Sequence, residues 1–197
     1  MHLTKEFELA KRTLDQSKVI AFPTETVMGL GVYYNDFVAY KLLNQIKGRP
    51  EDKPYTLMLG SISDIQDFAY VNQRDLKIIN AFMPGAITIL LKSKGNVPSY
   101  VTHNTGIIGI RVPNIKLVQD LIKYIGTPLL VPSANKSGSK PAVTSLEVKE
   151  IFNNEVGFIF EGSAFGGIPS TIVDLTGEQV KIVREGPISL KDIEKVL

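Results

Sequence analysis

The sequence contains no cysteine and only two histidines, His2 and His103. Without cysteine there is no disulfide, no thiolate nucleophile and no cysteine-ligated metal. Two imidazoles leave almost no material for a zinc site or for a catalytic triad built around histidine. If the chain is an enzyme, its chemistry therefore depends on charged side chains, hydroxyl groups and the backbone.

Long apolar runs and a large net charge are also missing. No run reaches the roughly 18 apolar residues of a membrane span, and the charged N-terminal segment MHLTKEFELAKRTLDQ is not typical of a signal peptide. We therefore expect a cytoplasmic protein with no membrane partner. The net charge of +2, from 22 basic and 20 acidic residues, does not by itself indicate a nucleic-acid-binding protein, although it is compatible with a local basic groove.

The 197 residues, 44% of them hydrophobic, are sufficient for a substantial core. Because no repeat or linker-like segment divides the chain, we predict a single domain over residues 1–197. Helix and strand signals alternate: Asp36 and Gly48, for example, are placed to begin and end one helix. Apolar runs such as AITILLK and IIGIRV predict strands covered on both faces. Together these patterns predict an α+β fold with a mixed sheet flanked by helices.

The stretch AFPTETVMGLG, residues 21–31, follows the apolar run KVIAF, which we interpret as a buried strand. Hydroxyl groups and glycines directly after a strand are typical of either a plain connection or a binding loop. The stretch alone does not distinguish the two.

The segment KGRPEDKP contains Lys47, Arg49 and Lys53 directly after a predicted helix. In an extended segment Lys47 and Arg49 would point to the same side, where a polyphosphate would relieve their mutual repulsion. The alternative is a solvated basic turn balanced by Glu51 and Asp52.

The segment PLLVPSANKSG contains Ser133 and Asn135 at the end of a short apolar strand. Ligands collect at such strand ends in open α/β sheets, and small polar side chains with free backbone N–H groups hold phosphate well. An ordinary turn rich in serine, asparagine and glycine is equally consistent with this pattern.

Arg111 ends the apolar strand of GIIGIRVPN. Burying an arginine without a partner is costly, so Arg111 either pairs with a carboxylate of this chain or meets an acidic ligand. Ser170 opens the strand in GGIPSTIVDL and Arg184 closes the strand in VREGPIS, but each is a weak signal alone. Neither a Walker-A loop nor a complete dinucleotide fingerprint occurs.

Taken together and in this order, the stretches resemble the threonylcarbamoyl-AMP synthase family, also called the YrdC-like domain. The resemblance covers essentially the whole chain. It is carried by seven stretches: FPTETVMGLG, the K-x-R of residues 47–49, PGAITILL, IRVP, the S-x-N of residues 133–135, STIVDL and VREG. The chain ends soon after VREG, so it resembles the short, single-domain form of the family.

The resemblance implies a fold and a reaction. The fold is a twisted mixed sheet around a large, positively charged cavity. The reaction is a nucleotidyl transfer in which L-threonine, bicarbonate or CO2, and ATP give threonylcarbamoyl-adenylate and pyrophosphate, with Mg2+ bridging the phosphates. The product would pass to a threonylcarbamoyl-transferase complex that modifies adenosine 37 of tRNA. No protein nucleophile is required, in agreement with the missing cysteines.

The resemblance also implies roles for individual residues. The ATP-binding residues would be Lys47, Arg49, Lys53, Ser133, Asn135 and Arg184. The threonine-binding residues would be Thr26, Arg111, Val131 and Ser170, with Arg111 holding the threonine carboxylate and Val131 contributing backbone. No protein side chain is assigned as a metal ligand.

Two positions depart from the family pattern. Met28 stands where the family often has tyrosine, and Met58 stands where many members have a histidine that resembles a threonine contact. Methionine forms no strong hydrogen bond, so the resemblance makes Met58 a candidate for a divergent threonine contact. One alternative function is a paralogue that binds double-stranded RNA or tRNA without synthase activity. A second is the carbamoyl-adenylate chemistry of hydrogenase-maturation proteins, whose zinc-finger-like modules need cysteines that are absent from this sequence.

Overall fold

The structure, a computed structural model, describes residues 2–49 and 54–197. Nine strands in these residues form one sheet with the order β7-β1-β2-β6-β3-β5-β4-β8-β9. The strands are β1 (Ile20–Phe22), β2 (Gly29–Tyr33), β3 (Thr56–Met58), β4 (Ile87–Lys92), β5 (Ile107–Arg111), β6 (Leu129–Leu130), β7 (Phe158–Ile159), β8 (Thr171–Asp174) and β9 (Lys181–Arg184).

The sheet is mixed, as the sequence predicts. The pairs β1/β7, β3/β5 and β4/β8 are parallel, whereas β1/β2, β2/β6, β3/β6, β4/β5 and β8/β9 are antiparallel. Most strands are buried along their length, because helices cover both faces. The predicted α+β class with a mixed sheet flanked by helices is confirmed.

Eight α-helices lie in the described residues: α1 (His2–Asp15), α2 (Phe37–Lys47), α3 (Ile65–Phe68), α4 (Gln73–Phe82), α5 (Ser99–Thr102), α6 (Lys116–Ile125), α7 (Ser145–Phe152) and α8 (Leu190–Glu194). As predicted, Asp36 caps α2 by accepting a hydrogen bond from the Ala39 amide, and Gly48 ends it in the left-handed conformation. Within residues 2–49 and 54–197, no helix has the length and apolar character to cross a membrane.

Two apolar clusters form the core, one on each face of the sheet. The first contains Leu43 of α2 and Ile78 of α4 with strand residues such as Ile110. The second packs α1 and α6 against the opposite face, including Leu121 of α6 and Met58 of β3. Burying each of these large side chains contributes about 1.5–3 kcal/mol.

The helices α1 and α6 leave part of their face of the sheet uncovered, and a row of side chains crosses this part. Met58 on β3 pairs with Arg111 on β5, and the β4/β5 register places Thr88 beside Arg111. Thr88 pairs with Ile172 on β8, which in turn pairs with Arg184 on β9. Opposite residues on paired strands point to the same side, so the fold brings distant parts of the sequence to one surface.

The stretch from 21 to 31 is only partly the turn that the sequence suggests. The turn is short, and Gly29 and Gly31 lie in β2, antiparallel to β1. A Cβ atom on Gly29 would lie 2.9 Å from Cγ1 of Val131, and one on Gly31 would lie 2.8 Å from Cε1 of Phe22. These glycines are therefore required by close packing of the strands.

Candidate functional site

A cavity of about 130 Å³ lies at the row of side chains on the open part of the sheet. Eight of the residues that the sequence predicts for ATP or threonine line it: Thr26, Arg49, Met58, Arg111, Val131, Ser133, Ser170 and Arg184. Lys47 and Asn135 are not among the described residues of its lining, and Lys53 lies outside the described residues. The large, positively charged cavity that the resemblance implies stays a prediction.

The guanidinium of Arg111 is held on three sides by the protein. Its Nη2 lies 2.9 Å from Oε1 of Glu25 and donates to Oγ1 of Thr26 at 3.0 Å, and its Nε donates to the Gly85 carbonyl at 3.2 Å. The sequence left open whether Arg111 pairs with a carboxylate of this chain or with an acidic ligand. The structure shows the pair with a carboxylate, that of Glu25. In the described part of the chain its Nη1 has no hydrogen-bond partner, which leaves two donors for a ligand.

Glu25 is a site residue that sequence reasoning missed. Its Oε1 binds Arg111 and also accepts the Asn114 amide at 3.0 Å. Its Oε2 is buried and has no hydrogen-bond partner among the described residues. The signal in the sequence was a single acidic residue between two hydroxyl residues after a buried strand, directly beside the predicted Thr26.

Thr26 belongs to a small network of hydroxyl groups. The Thr24 hydroxyl donates to the Val27 carbonyl at 2.7 Å and shares a 2.8 Å hydrogen bond with the Thr26 hydroxyl. Because the Thr24 proton is already used, the Thr26 hydroxyl is the donor in the shared bond. Its oxygen also accepts from Arg111, so Thr26 can offer a ligand only a lone pair.

Ser170 and Arg184 meet at the wall of the cavity that β8 and β9 provide. Arg184 donates to the Ser170 carbonyl from Nε at 3.1 Å and from Nη2 at 2.7 Å. The Ser170 hydroxyl lies 3.2 Å from the same Nη2 and 3.0 Å from Oγ1 of Thr88, a residue that the sequence analysis did not select. Burial lowers the pKa of Arg184 below its usual value, and the nearby charge of Arg111 lowers it further.

Arg49 reaches the cavity from the end of α2. Its Nη2 donates to the Pro54 carbonyl at 2.9 Å, and its guanidinium lies 4.5 Å from the centre of the Tyr55 ring. Tyr55 is itself fixed, because its hydroxyl donates to Oδ1 of Asn44 at 2.6 Å. Stacking on an aromatic ring orients the planar guanidinium of an arginine.

The interpretation of Lys47 and Arg49 as neighbours in an extended segment is wrong. Lys47 is the last residue of α2, and its side chain is only 2% exposed. Its ammonium donates to the Ser133 carbonyl at 2.5 Å and to the Asn135 carbonyl at 2.7 Å. Two of its three protons are thus in use, and any contact with a phosphate depends on the third.

The loop after β6 in turn donates two hydrogen bonds to the end of α2. The ammonium of Lys136 donates to the Ile46 carbonyl at 2.6 Å, and the Ser137 amide donates to the Lys47 carbonyl at 2.8 Å. We call this set of four hydrogen bonds the α2 clasp. It satisfies carbonyl groups at the end of the helix and fixes the K-x-R segment to the S-x-N segment.

Asn135 has an internal role in the same loop. Its Nδ2 donates to the carbonyls of Lys136 and Ser139 at 2.8 and 3.0 Å, and its Oδ1 accepts from the Ser133 hydroxyl at 2.6 Å. Ser133 lies at the cavity wall. The structure therefore separates the two predicted nucleotide ligands, because Ser133 faces the cavity while the Asn135 side chain shapes the loop.

Two of the predicted residues in the lining, Met58 and Val131, are apolar. Met58 is 1% exposed and directly opposite Arg111 in the β3/β5 register. Val131 is 7% exposed, and its amide donates to the Thr56 carbonyl at 2.9 Å. The predicted contact of the Val131 backbone with a ligand therefore does not involve its N–H group.

The buried ammonium predicts a pH dependence of stability. Burial lowers the pKa of Lys47 to about 7, with further lowering by Arg49 and Lys136. Between pH 7 and pH 10 the unfolded chain, in which lysine has a pKa near 10.4, binds more protons than the folded chain. The unfolding free energy of the protein should therefore rise with pH relative to that of Lys47→Met, by up to about 1 kcal/mol per pH unit.

Urea unfolding of both proteins between pH 7 and pH 9 measures this difference. Subtracting the variant removes the contribution of all other titrating groups. A difference that stays constant over this range would contradict the lowered pKa of Lys47.

Comparison with known proteins identifies relatives over nearly the whole chain. The threonylcarbamoyl-AMP synthase of Pyrococcus abyssi is 31% identical over 194 residues, which cover 98% of this chain and 57% of that protein. The protein of the same name from Bacillus subtilis is 34% identical over 192 residues, covering 95% of this chain and 55% of that protein. The chain therefore spans just over half the length of these two relatives.

Solved structures give the same result. The P. abyssi Sua5 structure complexed with L-threonine matches with a TM-score of 0.91 at 31% identity, over 97% of this chain and 57% of that one. Escherichia coli YciO matches with a TM-score of 0.89 at 27% identity, over 97% of this chain and 93% of that one. The profile of the Sua5/YciO/YrdC family, described as "Telomere recombination", matches residues 12–186. The chain therefore belongs to the Sua5/YciO/YrdC family.

Proposed function

We propose that this chain is a threonylcarbamoyl-AMP synthase, a nucleotidyltransferase that condenses L-threonine, bicarbonate or CO2, and ATP. The observation that carries the proposal is the small cavity around Arg111. There a fixed guanidinium with two remaining donors faces a space lined by hydroxyl groups. The relatives named threonylcarbamoyl-AMP synthase support the same assignment.

The size and polarity of the cavity suit a small amino acid. A water molecule takes about 30 Å³ of liquid volume, so 130 Å³ corresponds to a few waters or one small zwitterion. In the proposal, Nη1 of Arg111 holds the substrate carboxylate, and the Thr26 oxygen accepts a hydrogen bond from the substrate. Ser170 and Thr88 offer further hydroxyl groups in the same cavity.

The nucleotide is too large for this cavity and extends outward from it. Arg49 and Arg184 both line the cavity wall and lie where two guanidinium groups can bind phosphate oxygens. Ser133 adds a hydroxyl on the same wall. Lys47 and Asn135 keep the loop in place, and the predicted contact between Lys53 and ATP remains part of the proposal.

The reaction then needs alignment more than it needs a protein nucleophile. The threonine amine forms a C–N bond with CO2 and loses a proton, which gives a carbamate. A carbamate oxygen attacks the α-phosphorus of ATP, and the P–O bond to pyrophosphate breaks. Holding the reactants in line contributes up to roughly 7–11 kcal/mol to lowering the barrier, and the arginines stabilise the charge on the transferred phosphoryl group.

The lining residues do not form a magnesium site. Mg2+ prefers carboxylate, phosphate and water oxygens, whereas the described lining consists of arginines, hydroxyl groups and apolar side chains without a carboxylate. Mg2+ would therefore arrive as a companion of ATP, held by the phosphates of the nucleotide.

The cellular location of the enzyme and the use of its product are also part of the proposal. We place the enzyme in the cytoplasm as a single domain over residues 1–197. Its product would supply a threonylcarbamoyl-transferase complex that acts on adenosine 37 of tRNA. Threonylcarbamoyl-adenylate is a mixed anhydride, which makes its carbonyl carbon a good target for an amine on the receiving base.

Pyrophosphate release tests the proposed reaction. We expect release from ATP only when threonine and bicarbonate are both present. Release that is independent of either substrate would overturn the proposal. A chain that releases no pyrophosphate but retains double-stranded RNA on a gel would instead be the RNA-binding paralogue.

The divergent Met58 allows a test of threonine recognition. Replacing it by histidine places a hydrogen-bonding ring beside Arg111 in the cavity. We expect Met58→His to lower the KM for threonine severalfold with little change in kcat, because the added hydrogen bond contributes about 0.5–1.5 kcal/mol. Met58→Leu, which adds no polar group, should leave KM within about twofold. Equal KM values for all three proteins would show that position 58 does not contact threonine.

A further inference from the structure

A second depression lies on the outer side of α2, between this helix and α5. It encloses about 940 Å³, and we call it the α2–α5 groove. Among the described residues, Arg49 is the one that it shares with the cavity of the candidate site. Its described lining is Phe37, Tyr40, Lys41, Asn44, Gln45, Gly48, Arg49, Ser99, Tyr100, His103 and Asn104.

Aromatic rings form one end of the groove. The ring centres of Phe37 and Tyr100 lie 5.2 Å apart, and those of Tyr40 and Tyr100 lie 4.7 Å apart. The Tyr100 hydroxyl donates to the Tyr34 carbonyl at 2.9 Å, which fixes its ring. Phe37 is nevertheless 49% exposed, so this rigid cluster offers an open aromatic surface.

The charged groups of the groove are cationic. The ammonium of Lys41 lies 4.7 Å from the centre of the Phe37 ring, and Arg49 lies at the far end of α2. No acidic residue is present in the described part of the lining. Amide groups of Asn44, Gln45 and Asn104 lie between the cations, so the groove combines stacking surface, positive charge and hydrogen-bonding groups.

His103 ends α5 at the wall of the groove. Its Nε2 is buried and has no hydrogen-bond partner among the described residues. Both His103 and Asn104 are in the left-handed region, with φ of 50° and 59°, which is uncommon for residues other than glycine. Because this nitrogen is buried, a ligand in the groove would contact other atoms of His103 and Asn104.

We infer that the α2–α5 groove binds unpaired nucleotides of a nucleic-acid strand. Aromatic surface beside cations is the combination that holds single strands, because each base stacks and each phosphate meets a positive charge. The groove follows α2 from Phe37 to Gly48, or about 16 Å at a rise of about 1.5 Å per residue. This length exceeds that of one nucleotide and suits a short stretch of strand.

Binding of a short fluorescein-labelled single-stranded RNA, followed by fluorescence anisotropy, tests this inference. Phe37→Ala should weaken binding by roughly tenfold or more, because one stacking surface is lost. Lys41→Gln should reduce the slope of log affinity against log salt by about 0.7. The chain offers a matched control in Tyr70 and Lys94, another exposed aromatic and lysine pair with 5.8 Å between the ammonium and the ring centre.

The control variants Tyr70→Ala and Lys94→Gln should bind the strand like the wild-type protein. Equal losses in both pairs, or no binding by the wild-type protein, would overturn the inference. Binding of the duplex form of the same RNA as tightly as the single strand would also overturn it, as would AMP binding as tightly as the strand. The inference does not rest on the proposed synthase activity, because the assay contains neither ATP nor threonine.

Discussion

Arg111→Lys should raise the KM for threonine by on the order of a hundredfold while the protein remains folded. Lysine preserves the charge beside Glu25 but cannot supply the five fixed donors of the guanidinium. Glu25, Thr26 and Gly85 already accept hydrogen bonds from Arg111. The ammonium of a lysine has only three protons, so it cannot bind these three acceptors and also a substrate carboxylate. Loss of one partner from a buried, hydrogen-bonded charge pair costs about 2–5 kcal/mol. Steady-state pyrophosphate release at varied threonine concentration measures the effect.

Two companion variants separate binding from folding. Arg111→Ala leaves Glu25 as an uncompensated buried charge and should lower the free energy of unfolding by about 3–5 kcal/mol. Glu25→Gln keeps an oxygen for the Asn114 amide and should raise the KM for threonine by less than Arg111→Lys does. An unchanged KM in Arg111→Lys would mean that the threonine carboxylate binds elsewhere.

Arg49→Ala should weaken the binding of ATP, measured by titration calorimetry, by roughly 10- to 100-fold while leaving the fold intact. We expect this because Arg49 lines the cavity and the Tyr55 ring orients the guanidinium of Arg49. Removing a charged group that binds phosphate typically costs more than a neutral hydrogen bond, about 1.5–3 kcal/mol. Arg49 is partly exposed at the surface, so its removal should change the melting temperature by only a few degrees.

The control for this prediction is Arg12→Ala. Arg12 is an exposed arginine in the last turn of α1, and its removal changes the net charge by the same amount. ATP affinity should be unchanged in this variant. Unchanged ATP affinity in Arg49→Ala would show that the phosphates are placed wrongly.

The sequence predicts much of the fold because its strong signals are local. Asp36 begins α2 with a side-chain hydrogen bond, and Gly48 ends it because glycine adopts the left-handed conformation easily. Long apolar runs indicate β4 and β5. Strand β2 was missed because its glycines resemble a loop. Their actual role is to let Val131 and Phe22 approach the backbone, a long-range contact that no local pattern contains.

The candidate site, too, was predicted where its signals are local and missed where they depend on distant residues. Residues next to predicted strands and helices could be selected from sequence, and eight of those selected line one cavity. The helical end at Lys47 and the bonds of its ammonium depend on carbonyl groups 86 and 88 residues away. Similarly, Glu25 was passed over because its importance comes from Arg111, which is distant in sequence and adjacent in space.

The α2 clasp has a thermodynamic consequence for ligand binding. Four hydrogen bonds join the end of α2 to the loop after β6 before any ligand arrives. Fixing the backbone of each residue in a flexible loop costs about 1–2 kcal/mol in conformational entropy, and here folding has already supplied that ordering. A larger part of the interaction energy with a ligand therefore appears as binding affinity. If the loop is ordered in this way, hydrogen exchange of the Ser137 amide should be slow both with and without ligand.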